Sequence, residues 1–165
     1  MLVIIDFSQV WRKFKMDNIN IKIELKIITH QYVKENPFVS VGLNNVQHFG
    51  QVISEDTTVE IDTQIKDDTT NYLTIEYKNK DPRVDVVVGH DGSPTHDKRV
   101  EIKNISIDDI ELDFHTFSQD DTLTYQSSDP NGKNTQGFQA TKLAWNGTTT
   151  LKFSAPVYIW LLENL

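Results

Sequence analysis

The feature that most constrains the fold is a strict alternation of apolar and polar residues from Ile19 to Ile27. Isoleucine or leucine stands at every odd position, and asparagine, lysine or glutamate stands at every even one. Successive side chains of a β-strand point to opposite faces of a sheet. The pattern therefore predicts a strand with one face in a core and the other in water.

Further strand patterns follow along the chain, and dipeptides that favour turns, such as Asn36-Pro37 and Asn146-Gly147, separate them. No segment keeps a helical period beyond two turns. Short strands at this spacing predict an all-β fold, a single β-sandwich or jelly-roll domain of antiparallel strands. The predicted strands cover residues 19–27, 38–41, 46–49, 59–65, 73–77, 84–88, 100–114, 123–125, 148–153 and 157–162.

Some of these strands carry more specific expectations. Residues 84–88 show little alternation, so we interpret them as a strand buried on both faces. In the last strand, Trp160 and Leu162 are expected to pack in the core. Between residues 100 and 114 the apolar positions change parity at Lys103-Asn104 and again at Asp108-Asp109. The first change predicts a β-bulge or a crossing between sheets, and the second predicts a tight turn.

The chain of 165 residues fits one domain preceded by an arm. Residues 1–18 combine apolar side chains with a short basic run, and we interpret them as an N-terminal arm. Residues 19–165 then form the β-sandwich domain. Met16 leaves open a second start of translation within the arm. Residues 118–139 are polar and rich in turn signals, so they predict a long exposed loop.

The composition excludes several classes of protein. The chain has no cysteine, which excludes disulfides, thiolate catalysis and Cys-ligated zinc. The formal net charge of −8 argues against a nucleic-acid partner, because binding phosphates takes a concentrated basic surface. The longest apolar run, residues 157–162, is far shorter than the roughly 20 residues of a membrane helix. The N-terminus also lacks the positive-then-apolar order of a secretory signal. We expect no membrane partner.

Motifs for catalysis are few. No nucleophile-elbow pattern and no glycine-rich phosphate loop occur in the sequence. A glycosidase needs two carboxylates that face one cleft, and the many Asp and Glu residues neither locate nor exclude such a pair. We therefore expect a protein that is not an enzyme.

A loop rich in carboxylates between residues 78 and 99 is the candidate cation site. Calcium takes six to eight oxygen ligands from carboxylates and loop carbonyls, and this loop supplies several. The alternative is that its Asp-Pro, Asp-Gly and His-Asp pairs simply build turns. The candidate Ca²⁺ ligands are Asn79, Asp81, Asp91 and Asp97.

Aromatic side chains near turns are candidates for binding glycans, because the C–H faces of sugars stack on aromatic rings. Trp145 precedes the turn Asn146-Gly147, and Tyr72 and Tyr125 flank loops. The alternative is that each ring packs in the core. The candidate glycan-binding residues are Trp145, Tyr125 and His90, the last from the carboxylate-rich loop.

The two ends of the chain are candidates for protein–protein contact. Residues 1–15 and 158–165 are apolar segments of the kind that dock on neighbouring subunits. The candidate interface residues are Phe7, Trp11, Phe14 and Tyr158, and further copies of this chain are expected among the partners.

Two segments resemble the calcium-dependent xylan-binding type of carbohydrate-binding module: Thr74-Ile75-Glu76-Tyr77-Lys78-Asn79-Lys80 and Asp97-Lys98-Arg99-Val100-Glu101-Ile102-Lys103-Asn104-Ile105-Ser106-Ile107. In that family a strand ends in Asn-Asp, and after a loop Asp-Arg-Asn-Leu-x-Val leads into Ile-x-Val. Asp97 matches the acidic position, while Lys80 stands where the family has an Asp ligand. The resemblance implies a β-sandwich that binds polysaccharide with Ca²⁺.

The closing segments Ala144-Trp145-Asn146-Gly147 and 153–165 resemble small virion-associated β-sandwich proteins of tailed bacteriophages. This resemblance implies a protein made in the host cytoplasm and located in the virion. We therefore expect a non-enzymatic virion structural or capsid decoration protein with a fold like a carbohydrate-binding module. It would act through protein–protein contacts with other virion proteins and further copies of this chain, with glycan adhesion as a further role. The alternative is a calcium-dependent carbohydrate-binding module of a polysaccharide-active protein that binds cell-surface polysaccharide.

Overall fold

The computed structural model describes residues 16–29, 33–117 and 121–164, which form two packed antiparallel sheets. The five-stranded sheet consists of β1 (Met16–Ile28), β4 (Thr57–Lys66), β8 (Arg99–Ile107), β9 (Ile110–Glu111) and β12 (Lys142–Leu143). The six-stranded sheet consists of β2 (Phe38–Leu43), β3 (Val46–Val52), β5 (Thr70–Lys78), β10 (Leu123–Ser127), β11 (Thr135–Gln136) and β13 (Gly147–Ser154). The predicted all-β sandwich of antiparallel strands is confirmed.

The strand order places long strands in the middle of both sheets. The five-stranded sheet has the order β12-β8-β1-β4, with β9 paired to β8. The six-stranded sheet has the order β11-β10-β13-β5-β2-β3. A separate hairpin of β6 (Val86–Val88) and β7 (Pro94–Asp97) stands apart from both sheets.

Helical structure is short. A single helical turn, α1 (Pro82–Asp85), precedes β6, a 3-10 helix covers Gly137–Thr141, and α2 (Val157–Asn164) follows β13. Among the described residues, no helix has the length and apolar character needed to span a membrane.

Strand β1 shows how the alternating pattern builds the core. Ile19, Ile21, Ile23 and Leu25 are buried, whereas the polar residues between them remain partly exposed on the other face. These side chains join buried residues of the six-stranded sheet in one hydrophobic cluster. Each fully buried aliphatic side chain contributes roughly 1.5–3 kcal/mol, so β1 is a main source of stability.

Both predicted parity breaks are confirmed in β8 and its turn. Opposite β1, Ile102 pairs with Leu25 and Asn104 pairs with Glu24, so Lys103 is the extra residue of a β-bulge. Because of the bulge, the apolar residues before it, Val100 and Ile102, and those after it, Ile105 and Ile107, are all buried. The turn after β8 is made by two aspartates with positive φ angles, 50° at Asp108 and 64° at Asp109.

The segment 157–162 is a helix, so the predicted terminal strand is wrong. Helical spacing brings Val157, Trp160 and Leu161 to the buried side, and it leaves Leu162 80% exposed. The expectation for Trp160 is confirmed, and the expectation for Leu162 is wrong. A short run that is apolar at every position carries no periodicity, and it therefore fits a helix as well as a strand.

Residues 84–88 are also not a strand buried on both faces. Val84 lies in α1 and is exposed, β6 begins only at Val86, and Val88 is exposed. The predicted strand through residue 114 ends at Glu111. At both sites the run of apolar residues is longer than the strand. The sequence pattern shows which residues are apolar, but it does not show where the hydrogen bonds between strands begin and end.

The predicted arm, residues 1–18, overlaps the first strand at its C-terminal end. Residues 16–18 belong to β1, where Met16 pairs with Lys66 of β4. Residues 1–15 lie outside the described residues, so the arm itself stays a prediction.

Candidate functional site

The predicted Ca²⁺ ligands Asn79 and Asp81 have other partners. Asn79 Oδ1 accepts a hydrogen bond from the Phe38 backbone N–H at 2.9 Å, and its Nδ2 donates to the Asn36 carbonyl at 2.8 Å. Asp81 caps α1 and accepts hydrogen bonds from the backbone and side chain of Arg83. These bonds lower the pKa of Asp81 below its usual range. Both residues build the turn that leaves β5.

Asp91 and His90 lie at the tip of the β6–β7 hairpin. Asp91 Oδ1 accepts a hydrogen bond from the Ser93 backbone N–H at 3.0 Å, and this bond lowers the pKa of the carboxyl group. His90 and Asp91 are both exposed. The turn explains the position of Asp91, as the alternative interpretation of this loop expected.

Asp97 is paired with a buried lysine. Lys80 Nζ donates to Asp97 Oδ1 and to the Ala144 carbonyl, and it lies 5.4 Å from the centre of the Trp145 ring. The side chain of Lys80 is almost fully buried. An ammonium group thus occupies the position beside Asp97 where a bound cation would lie.

A second lysine is held in the same way. Lys98 Nζ donates to Asp85 Oδ2 at 2.7 Å, to the Glu35 carbonyl at 3.0 Å and to the Asn79 carbonyl at 2.9 Å. The side chains of Lys98 and Asp85 are only 1% and 2% exposed. Three acceptors match the three N–H donors of an ammonium group, so this charge is fully satisfied.

We refer to Lys80, Lys98, Asp85 and Asp97 as the lysine cluster. It fastens the segment between β5 and β8 to the sandwich through oxygen atoms, as a structural cation would. In the described part of the chain, no group of three or more His, Asp or Glu side chains is arranged to hold a metal ion. Ca²⁺ binding by Asn79, Asp81, Asp91 and Asp97 stays an untested prediction. Sequence reasoning missed the buried pairing of Lys98 with Asp85, because nothing in their pattern signals burial.

Two predicted glycan-binding aromatics lie side by side, but neither presents an open ring. Tyr125 is 2% exposed, and its hydroxyl donates to the Trp145 carbonyl at 2.8 Å. Trp145 is half-buried beneath the ammonium of Lys80. Their positions match the alternative that these rings pack within the fold.

Of the four predicted interface residues, the structure describes one. Phe7, Trp11 and Phe14 lie outside the described residues. Tyr158 is exposed on α2, where the apolar side chains of Ile159 and Leu162 are also exposed. The three side chains share one side of the helix, because Tyr158 and Ile159 stand four and three residues before Leu162 and so both neighbour it.

A polar groove of about 700 Å³ lies on the outer face of the six-stranded sheet. We call it the Tyr72 groove, because the ring of Tyr72 stands at its edge and is 47% exposed. It crosses four strands, β11, β10, β13 and β5. The groove is lined by Tyr72, Asp121, Thr124, Tyr125, Gln126, Asn134, Thr135, Gln136, Thr150 and Lys152.

The register of the strands aligns these side chains in rows. Gln136 pairs with Thr124, and Thr124 pairs with Thr150, so an amide and two hydroxyls follow each other across the sheet. Lys152 pairs with Tyr72 in the neighbouring row. Lys152 Nζ also binds Asp121 Oδ2 at 3.0 Å and lowers the pKa of that carboxyl group. The charges in the groove therefore neutralise each other.

A smaller groove of about 270 Å³ continues on the same face towards β3. The row that contains Thr150 reaches it, because Thr150 pairs with Thr74 and Thr74 pairs with Gly42. The smaller groove is lined by Ser40, Val41, Gly42, Asn45, Val46, Gln47, Thr74, Glu76 and Thr148. The outer face thus carries a polar surface across the whole sheet.

In the Tyr72 groove, uncharged amide and hydroxyl side chains supply hydrogen-bond donors and acceptors beside an exposed aromatic ring. Sequence reasoning named Tyr72 only as a residue that flanks a loop, and it missed the groove. The signal was present in the polar outward positions of residues 148–152, but it takes the strand order to show which of them lie together.

No protein family, curated protein or solved structure matches this chain.

Proposed function

We propose that this protein is a non-enzymatic glycan-binding β-sandwich whose Tyr72 groove binds a neutral polysaccharide. The observation that supports this most is the exposed ring of Tyr72 at the edge of a groove lined by amide and hydroxyl side chains. Sugar hydroxyls pair with amides and hydroxyls, and the C–H face of a sugar ring stacks on an aromatic ring.

The charge of the groove favours a neutral ligand. Asp121 and Lys152 neutralise each other within hydrogen-bond distance. An acidic polysaccharide would meet a protein with a net charge of −8, and long-range repulsion would slow its approach. A neutral chain meets no such barrier.

The carboxylates of the groove favour binding over hydrolysis. Among its described lining residues, Asp121 is the one carboxylate, and it is paired with Lys152. Glycoside hydrolysis takes two carboxyl groups on opposite sides of the scissile bond. The groove therefore supports recognition of a glycan rather than its cleavage.

A virion surface is the setting we propose for this activity. The proposal follows from the resemblance of the C-terminal segments to small β-sandwich proteins of tailed bacteriophages. Adhesion to cell-surface polysaccharide would give such a protein a role at the outside of a particle.

A second candidate function is assembly through protein–protein contact. The exposed apolar side of α2, formed by Tyr158, Ile159 and Leu162, favours it. Clustered apolar side chains on a surface mark interaction sites more often than isolated ones do.

The test of glycan binding is affinity electrophoresis through gels that contain a neutral polysaccharide, with xylan and a neutral glucan as first probes. We expect Tyr72→Ala to lose about tenfold in affinity, as removal of a stacking ring costs on the order of 1–1.5 kcal/mol. Tyr158→Ala is the matched control, because its ring is exposed on α2 away from the groove. Equal retardation of wild type and Tyr72→Ala by every retarding polysaccharide would overturn the assignment of the groove, and no retardation by a broad panel of neutral glycans would overturn the proposed function.

A further inference from the structure

The edges of the two sheets differ in how they are protected from pairing with another chain. An exposed strand edge presents free N–H and C=O groups, and proteins guard such edges with short strands or charges. In the described part of the chain, the edge strands β9, β11 and β12 are only two residues long. Strand β4 is long, but it carries Glu60, Asp62 and Lys66.

Strand β3 lacks both protections. It is seven residues long, Val-Gln-His-Phe-Gly-Gln-Val, and contains no Lys, Arg, Asp, Glu or Pro. Its terminal residues Val46 and Val52 are exposed, Val52 by 54%. A bulge opposite Val41 and Gly42 interrupts its pairing with β2, and the part from Phe49 to Val52 is regular.

The hydrogen bonds of the regular part show which backbone groups of β3 are turned away from β2. The Ile53 N–H donates to the carbonyl of Pro37, which stands directly opposite it. Hydrogen-bonded and non-hydrogen-bonded pairs alternate along an antiparallel ladder. The N–H and C=O groups of Gly50 and Val52 therefore point away from β2, towards the edge that no strand of the described residues covers.

We propose that β3 pairs antiparallel with β3 of a second copy of this chain. An antiparallel edge is self-complementary about a twofold axis, so a second copy supplies a matching strand without any other partner. Each copy carries a net charge of −8, so two copies repel each other where negatively charged surfaces face each other. Because β3 and the adjacent β2 contain no charged side chain, they form a long edge at which two copies meet without opposing like charges.

The geometry of this pairing joins the two binding faces. The twofold axis of an antiparallel edge contact stands perpendicular to the sheet, so the outer faces of both copies lie on the same side. The smaller groove, which reaches Val46 and Gln47, would lie on the same side as its counterpart, with the two grooves towards opposite ends of the new strand pair. Two linked grooves would then bind one polysaccharide chain with the advantage of multivalency. This last step rests on the proposed function, whereas the dimer does not.

The mass of the protein in solution tests the dimer. In sedimentation equilibrium over a concentration series, we expect wild type to approach twice the chain mass and Val52→Lys to stay at the monomer mass. The matched control is Thr58→Lys, which adds the same charge at an exposed position of β4 and should dimerise like wild type. A wild type that stays monomeric throughout, or a Val52→Lys variant that dimerises equally, would overturn the proposal.

Hydrogen exchange gives a second measurement on the unaltered chain. The amides of Gly50 and Val52 should exchange more slowly as the concentration rises, because dimer formation gives them acceptors. Concentration-independent exchange at both amides would contradict the pairing even if Val52→Lys failed to fold. A monomeric wild type that still loses glycan affinity in Tyr72→Ala would refute the dimer and leave the proposed function standing.

Discussion

At the scale of single residues, the lysine cluster contains two ion pairs whose lysine side chains are almost fully buried. Lys98 and Asp85 are both buried, and the Lys98 ammonium also binds two backbone carbonyls. Burying a charge is costly unless a partner compensates it, so the two residues depend on each other. Tyr77 is buried beside them, and its hydroxyl donates to the Lys98 carbonyl at 3.3 Å.

Replacing one partner of the buried pair should be strongly destabilising. We expect Lys98→Met to lower the free energy of unfolding by roughly 3–5 kcal/mol, because the buried carboxylate of Asp85 loses the positive charge that compensates it. Urea denaturation measures this change. Lys78→Met removes an exposed lysine and is the control, with an expected change within about 0.5 kcal/mol. The double variant Lys98→Met, Asp85→Leu should recover part of the loss, and a single variant as stable as the control would contradict the account.

The stability should fall at alkaline pH because of Tyr77. Burial raises the pKa of Tyr77, and the nearby charges of Asp85 and Asp97 raise it further. Below a pH of about 10, Tyr77 keeps its hydroxyl proton in both the folded and the unfolded state, so its ionisation does not lower the free energy of unfolding. Above it the unfolded state releases the proton while the folded state retains it, and stability falls by about 1.4 kcal/mol per pH unit.

The comparison of urea denaturation at pH 8 and pH 11 isolates this effect. Tyr77→Phe should lose less stability between the two pH values than wild type does. Tyr158→Phe, which alters an exposed tyrosine, should lose as much as wild type. Identical losses in all three proteins would show that Tyr77 titrates normally.

At the scale of elements, the segment from α1 to β7 is held by side chains more than by sheet pairing. Its hairpin stands apart from both sheets, and its base is fixed by Lys98, whose backbone N–H also donates to the Asp85 carbonyl at 3.0 Å. The lysine cluster supplies inside the chain the positive charge that the resemblance assigned to a bound Ca²⁺.

Calcium should accordingly leave the melting temperature unchanged. The Lys80 ammonium already pairs with Asp97, and a divalent cation beside it would be repelled. Thermal denaturation in millimolar Ca²⁺ and in EDTA measures the difference. A Ca²⁺-dependent rise that Asp97→Ala abolishes would restore the predicted site, since a ligand that binds only the folded state raises its stability.

The elements also show how far the sequence predicts the fold. The alternation of apolar and polar residues predicted β1, and the changes of parity predicted the bulge at Lys103 and the turn at Asp108. These features could be predicted because they depend only on the local geometry of one strand. The helix α2 was missed because its apolar run has no period. The lysine cluster and the Tyr72 groove were missed for another reason: both combine residues that are distant in sequence, and their proximity follows from strand order.

At the scale of the whole molecule, one core holds the two sheets together. Buried side chains of both sheets, of the segment after β9 and of α2 belong to the same hydrophobic cluster. On the described chain that cluster begins at Ile19, within β1. The sandwich should therefore fold without the residues that precede β1.

Deleting residues 1–15 should leave a cooperative unfolding transition. The truncated protein keeps all of β1, so its urea transition, followed by near-ultraviolet circular dichroism, should stay sharp. Deleting residues 1–21 is the control, because it removes the buried Ile19 and Ile21 and should abolish or broaden the transition. Loss of cooperativity in the shorter deletion would place the arm in the core.

The hairpin of β6 and β7 has a practical consequence for engineering. Its tip contains Gly92, whose φ angle is 81° and around which no heavy atom lies within 4 Å of an added Cβ. Exposed tips of small and polar residues are the places where chains accept foreign segments. The lysine cluster anchors the base of the hairpin while the tip remains free. A peptide epitope inserted beside Gly92 would thus be displayed at the tip of a hairpin that is anchored at its base, away from the core.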